Sequence, residues 1–124
     1  MRLEEVLRIV EARPVWDAEY DDPEIRCCYA SDLISDVLTF HGPSALLLTG
    51  LTNAQVMRTA ESLDFVAICF VRDKGPQPET IELSKEMGLP LFVTSLTMYE
   101  SCGRLYERKL PGTTRRESTN NCLT

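Results

Sequence analysis

Apolar positions near the amino end of the chain recur every three to four residues, which is the spacing of one face of a helix. This pattern covers residues 3–10 and predicts a first helix that ends before Pro14. A short extended piece is predicted at residues 15–16. Residues 17–24 contain five carboxylates and a proline, a composition typical of a loop. Residues 26–29 then predict a second short strand.

The rest of the chain alternates between amphipathic segments and short, continuously apolar runs. The amphipathic segments predict helices over residues 31–40, 52–63, 79–87 and 97–108. The apolar runs predict strands at 45–48, 65–71 and 89–93. A strand that is apolar throughout is covered on both faces. Such alternation requires right-handed crossovers, so it predicts an α/β fold with a mostly parallel sheet and helices on both faces, in three layers.

Composition fits one small domain. The chain has 124 residues, 44% of them hydrophobic, which is enough to build a core without metal or disulfide support. We predict a domain over residues 1–110 and a flexible polar tail over 111–124. Residues 1–103 hold 8 basic and 17 acidic side chains, whereas residues 104–124 hold 5 and 2. A broad basic face is missing, so no nucleic-acid binding is predicted.

Membrane and secretion signals are not predicted either. No run approaches the roughly 20 apolar residues that span a bilayer, and Glu4, Glu5 and Arg8 interrupt the amino-terminal segment. A cytoplasmic location with no membrane contact is therefore expected. The five cysteines include no C-x-x-C pair, and their odd number predicts reduced thiols rather than a zinc site.

The sequence offers little catalytic chemistry. His41 is the only histidine and lies beside Gly42 in a turn, so no Ser-His-Asp or Cys-His arrangement is predicted. The acidic loop lacks the glycine turn and the distal glutamate of a calcium loop, and no phosphate-binding P-loop is present. We predict no catalytic residue, no metal and no cofactor. A transferase or hydrolase that uses Asp32 and Asp36 stays open as an alternative, although the helix dipole explains two carboxylates at a helix start more simply.

Polar residues follow the predicted strands, where ligands of parallel sheets usually bind. The candidate ligand-binding residues are Ser31, Asp32, Thr49, Gly50, Thr52, Asn53, Arg72 and Lys74. Free N–H groups at a helix start and the charges of Arg72 and Lys74 suit a phosphate or another small anion. Ordinary capping and turn formation is the alternative, and in that reading Ser31 or Asp32 caps the helix that follows.

Three stretches resemble a known family, the DRTGG domain. They are Tyr29-Ala-Ser-Asp-Leu-Ile-Ser-Asp-Val-Leu38, Leu46-Leu-Leu-Thr-Gly-Leu-Thr-Asn53 and Leu89-Pro-Leu-Phe-Val-Thr94, and the resemblance covers about residues 1–106. DRTGG domains occur as accessory modules in some phosphotransacetylases and beside CBS domains in some pyrophosphatases. They are similar to the N-terminal domain of HPr kinase/phosphorylase. Small stand-alone versions, which this chain resembles, are often encoded near iron hydrogenases and histidine kinases.

The motif that names the family is not present as written. Thr52-Asn53 stands at the Asp-Arg position, and Val71-Arg72-Asp73 stands where Thr-Gly-Gly would follow the next strand. The resemblance implies the same three-layer fold, no catalytic activity and self-association. Large apolar residues near element ends suit either a self-complementary patch or the core, and they are Phe40, Met98, Tyr99 and Tyr106.

We therefore expect a regulatory or scaffolding domain that acts as a homodimer and binds a small anionic ligand such as an adenine nucleotide. The alternative is a protein-interaction module without a small ligand, attached to a hydrogenase or a signalling-kinase system.

Overall fold

A computed structural model describes residues 1–40, 42 and 44–112. The division into a domain over 1–110 and a tail over 111–124 stays a prediction, because the tail from residue 113 onward lies outside the described residues. The helices are α1 Leu3–Ile9, α2 Ile34–Val37, α3 Ala54–Ser62, α4 Pro78–Met87 and α5 Met98–Glu107. The strands are β1 Arg13–Pro14, β2 Cys27–Ala30, β3 Ala45–Thr49, β4 Phe65–Phe70 and β5 Leu91–Val93.

The five strands form one sheet in the order β1-β5-β4-β3-β2. Strands β2 to β5 pair in parallel, and only β1 pairs antiparallel, with β5. The crossovers between parallel neighbours contain α2, α3 and α4. The predicted α/β fold with a mostly parallel sheet is therefore confirmed.

Helices cover both faces of the sheet, as predicted. Leu46 and Leu48 of β3 belong to a core cluster that includes residues of α1 and α5. Ala45 and Leu47, which alternate with them along the strand, belong to a second cluster that includes residues of α2 and α3. Because successive side chains of a strand point to opposite faces, these two clusters lie on the two sides of the sheet.

Each outer edge of the sheet is modified by a local feature. At one edge, β1 has only two residues and ends at Pro14, which has no N–H to donate. At the other edge, the N–H of Cys28 in β2 donates to the carbonyl oxygen of Pro111 at 3.0 Å. The segment that follows α5 therefore lies along β2.

The second helix differs from the prediction. It covers only Ile34–Val37, and the residue at its N-cap position, Leu33, makes no side-chain capping bond. The hydroxyl of Ser31 instead accepts the N–H of Leu33 at 3.1 Å. The predicted capping of this helix by Ser31 or Asp32 was therefore wrong, because a hydroxyl-bonded turn ends β2 before the helix begins.

The four cysteines within the described residues divide into two groups. Cys28, Cys69 and Cys102 are free thiols, whereas Cys27 is disulfide-bonded, so the prediction of reduced thiols was wrong for Cys27. Burial raises the pKa of Cys69 to about 12. Burial, with smaller contributions from Cys102 and Cys69, raises the pKa of Cys28 well above its usual range.

We expect the free energy of unfolding to fall at alkaline pH. Burial and a hydrogen bond to Glu4 also raise the pKa of Tyr20 to about 12, so the folded chain holds these protons more tightly than the unfolded chain, where thiols titrate near about 8.5 and tyrosine near about 10. This contribution is complete below about pH 8 and is lost as the pH rises toward about 12. Urea unfolding at pH 7, 9 and 10.5 measures the decline, and Tyr20→Phe should flatten its upper part. A constant free energy of unfolding over this range would contradict the prediction.

None of the described helices combines the length and the apolar composition that a bilayer crossing requires.

Candidate functional site

The carboxyl ends of β2, β3, β4 and β5 meet at one edge of the sheet, because these four strands are parallel. Three of the ends share one type of turn, in which a hydroxyl accepts the N–H of the residue two positions later. The pairs are Ser31 with Leu33 at 3.1 Å, Thr49 with Leu51 at 3.0 Å and Thr94 with Leu96 at 3.1 Å. The sequence of each of these turns is Ser or Thr, then any residue, then Leu. This repeated signal, which our sequence analysis missed, marks the strand ends.

The end of β4 has a different turn. Arg72 and Asp73 both have left-handed backbone, with φ of 57° and 56°. Their N–H groups donate to the carbonyl oxygens of Leu96 and Thr94, each at 2.8 Å. The carboxylate of Asp73 also pairs with Arg13 at 2.7 Å. These bonds tie the turn after β4 to the turn after β5 and fix the backbone that carries Arg72.

Gly50 lies at the centre of this edge and is buried. Its N–H donates to Oδ1 of Asp32 at 2.5 Å. A Cβ built on Gly50 would lie 3.1 Å from that same Oδ1 and 3.4 Å from Nη2 of Arg72. Asp32 and Arg72 therefore both reach Gly50, from the turns after β2 and β4, and a side chain at residue 50 would press on both.

The carboxylate and the guanidinium do not neutralise each other by direct contact. The ion pairs found among the described residues involve Arg13, Arg58, Arg104 and the N-terminus, but not Arg72 or Lys74. Both Arg72 and Lys74 are exposed. The edge thus offers an exposed guanidinium and a carboxylate on either side of a buried glycine. Such an arrangement suits a polar ligand that carries an anionic group and hydroxyl groups.

Ser31, Thr49, Thr52 and Asn53 have structural roles, whereas Lys74 is exposed on the turn after β4. Asn53 caps α3, where its side chain accepts the N–H of Val56 at 3.3 Å. The carbonyl oxygen of Thr52 accepts the N–H of Gln77 at 3.2 Å and the hydroxyl of Thr80 at 2.7 Å. Of the eight candidates, the structure brings Asp32, Gly50 and Arg72 together. Ser31 and Thr49 shape the neighbouring turns.

Asp32 and Asp36 do not share a helix. Asp32 lies in the turn before α2, and its carboxylate accepts the Gly50 N–H, whereas Asp36 lies within α2. The interpretation of both carboxylates as parts of one helix start was therefore wrong. His41 lies outside the described residues. Within the part of the chain that the structure describes, no three His, Cys, Asp or Glu side chains cluster as a metal site would require.

The comparisons with known proteins give a likeness to a solved structure. No protein-family model matches the chain, and no curated protein matches it. The fold is similar to the crystal structure of the CBS and DRTGG domains of the regulatory region of Clostridium perfringens pyrophosphatase, complexed with its activator, diadenosine tetraphosphate. The TM-score is 0.65 and the identity 18%, over 88% of this chain and 47% of that chain. This chain thus spans about half of that neighbour, and the likeness establishes a shared fold.

Proposed function

We propose that this chain is a DRTGG-like regulatory or scaffolding domain of the cytoplasm, without catalytic activity, that acts as a homodimer. We further propose that it binds a small anionic ligand, such as an adenine nucleotide, at the carboxyl edge of the sheet. The observation that carries this proposal is the meeting of Arg72 and Asp32 at the buried backbone of Gly50.

The two charged groups suit the two polar parts of a nucleotide. A guanidinium donates several N–H groups in a planar fork that matches phosphate oxygens. Arg72 is exposed, so its guanidinium is accessible to a phosphate group. Lys74, two residues later, adds a second exposed cation. The Asp32 carboxylate uses one oxygen for Gly50 and keeps acceptor capacity for a ribose hydroxyl.

The similar structure supports the ligand class. The regulatory region of the C. perfringens pyrophosphatase is complexed with diadenosine tetraphosphate, which combines two nucleosides with a chain of phosphates. Because about half of that region shares the fold of this chain, the same class of ligand is the natural one to test first.

The test is a titration with diadenosine tetraphosphate, ATP and AMP, read by thermal unfolding and by calorimetry. A ligand at about 100 times its Kd stabilises the folded state by about 2.7 kcal/mol, which should raise Tm by at least about 5 °C. Inorganic phosphate and adenosine serve as controls for the two halves of the ligand. If no nucleotide shifts Tm at millimolar concentration, the ligand part of the proposal is wrong.

A further inference from the structure

Cys27 forms a disulfide bond, but its partner is not one of the other described cysteines. Cys27 is disulfide-bonded, whereas Cys28, Cys69 and Cys102 are free thiols. The sequence holds five cysteines, and the fifth, Cys122, lies outside the residues that the structure describes. The partner of Cys27 is therefore either Cys122 of this chain or a cysteine outside this sequence.

The sheet separates Cys27 from the three free thiols. The side chain of Cys27 is fully buried in the core cluster that includes residues of α2 and α3. Cys69 belongs to the cluster on the opposite face of the sheet, and Cys28 and Cys102 pack against that same cluster. Cys28 follows Cys27 directly, but successive side chains of a strand point to opposite faces. This separation opposes exchange of the bond to any of the three free thiols.

The free thiols are also poor nucleophiles. Burial raises the pKa of Cys28, of Cys69 and of Cys102. The thiolate is the form that attacks a disulfide sulfur, and a raised pKa leaves little of it at neutral pH. The bond at Cys27 therefore keeps its partner.

The chain returns to the neighbourhood of Cys27 shortly before Cys122. The carbonyl oxygen of Pro111 accepts the N–H of Cys28 at 3.0 Å, so Pro111 lies against β2 beside the residue that follows Cys27. Cys122 follows Pro111 by 11 positions, and an extended chain of this length spans up to roughly 36 Å. The Cα atoms of a disulfide are only about 4.4–6.8 Å apart. Because β2 is an edge strand, a segment that starts at this edge can reach the face that holds Cys27.

We propose that Cys27 is bonded to Cys122, so that the carboxyl-terminal segment of the chain is covalently linked to the edge strand β2. Two thiols on one chain pair more readily than thiols of separate molecules, because the connecting segment raises their effective concentration. This link is a property of the domain beyond nucleotide binding and dimer formation, and it depends on neither of them.

The link makes the attachment of the carboxyl-terminal segment sensitive to redox conditions. When the bond forms, the two thiols lose their two hydrogens to a small-molecule disulfide, which is reduced to two thiols. In the cytoplasm, the location proposed above, thiols are kept reduced. The bond between Cys27 and Cys122 therefore forms when small-molecule disulfides accumulate, and an excess of thiol reverses it.

Peptide mapping under non-reducing conditions tests the pairing. The full chain is equilibrated with oxidised glutathione, its free thiols are blocked with N-ethylmaleimide, and the protein is digested with trypsin. Cleavage after Arg26 and Arg116 places Cys27 and Cys122 in separate peptides, residues 27–58 and 117–124. We expect these two peptides to be recovered as one disulfide-linked species from protein that migrates as a single chain in a non-reducing denaturing gel.

Two variants assign the bond within the longer peptide, which also contains Cys28. Cys28→Ser should retain the linked species, whereas Cys27→Ser should abolish it, and dithiothreitol should separate the two peptides of the parent chain. Recovery of Cys122 with the maleimide label would overturn the pairing. Linked peptides that come only from crosslinked pairs of chains would place the bond between copies and would equally overturn it.

Thermal unfolding provides an independent measurement. Cys122→Ser should lower the Tm of the oxidised chain by about 10 °C, because a bond that closes a loop of nearly the whole chain restricts the unfolded state. In dithiothreitol the variant and the parent chain should have the same Tm. Cys102→Ser is the matched control, since it removes a thiol that is already free, and it should leave the oxidised Tm within about 2 °C of the parent value. Equal Tm values for the oxidised parent and the oxidised Cys122→Ser chain would contradict the proposal.

Discussion

Phe70→Ala should lower the free energy of unfolding by about 3–5 kcal/mol, the range found when a buried phenylalanine is truncated. Phe70 is fully buried at the end of β4, a strand with parallel neighbours on both sides. It belongs to the core cluster that includes residues of α2 and α3. Truncation leaves a cavity that the surrounding strands are too constrained to fill. Urea unfolding followed by circular dichroism, at one fixed protein concentration, measures the change.

Leu38→Ala is the control for this prediction. Leu38 is 56% exposed, so its truncation should change the free energy of unfolding by no more than about 0.5 kcal/mol. A loss below about 1 kcal/mol for Phe70→Ala would mean that this side of the sheet does not hold a packed core.

Arg72→Glu should weaken nucleotide binding about 100-fold or more. The change removes charge-assisted hydrogen bonds to the phosphates, worth about 1.5–3 kcal/mol each, and places a carboxylate beside Asp32. The left-handed backbone at residue 72 is held by a main-chain hydrogen bond to Leu96, so the backbone presents glutamate from the same place as arginine. Isothermal titration with diadenosine tetraphosphate at low salt measures the loss.

Arg58→Glu is the matched control, because it makes the same change in net charge on the exposed side of α3. Among the residues that the structure describes, Arg58 pairs with Glu79 at 3.8 Å, and such an exposed pair contributes little. The affinity should change less than about threefold, as expected for a distant, screened charge. Equal losses for the two variants would indicate that overall charge, rather than a site at Gly50, governs binding.

The sequence predicted the sheet well because its signals are local. The apolar run at residues 65–71 is long enough to be a central strand, and the structure places β4 at Phe65–Phe70. The right-handed crossover rule then fixed the parallel pairing of its neighbours. The helix predicted over residues 52–63 from local periodicity is α3, Ala54–Ser62, and the side chain of Asn53 caps it.

The predictions that were wrong depended on distant contacts. Asp32 has the residue type of an N-cap, but its carboxylate bonds to Gly50, 18 residues away in the sequence. A capping rule that considers only neighbouring residues cannot predict that partner. The sequence also did not predict the left-handed turn at Arg72 and Asp73, because neither residue is the glycine that usually adopts this backbone conformation. Long-range bonds to the turn after β5 hold it in place. The meeting of Asp32, Gly50 and Arg72 therefore emerged only from the fold.

The two edges of the sheet have a consequence for how the protein behaves at high concentration. An exposed edge strand presents a row of free N–H and C=O groups on which another chain can build, and this is how aggregates and fibrils grow. Here one edge is a two-residue strand that ends in Pro14, and at the other edge the N–H of Cys28 is already bonded to Pro111. Strand addition is therefore opposed at one edge by the short β1 with its proline and at the other edge by the segment that already bonds to Cys28.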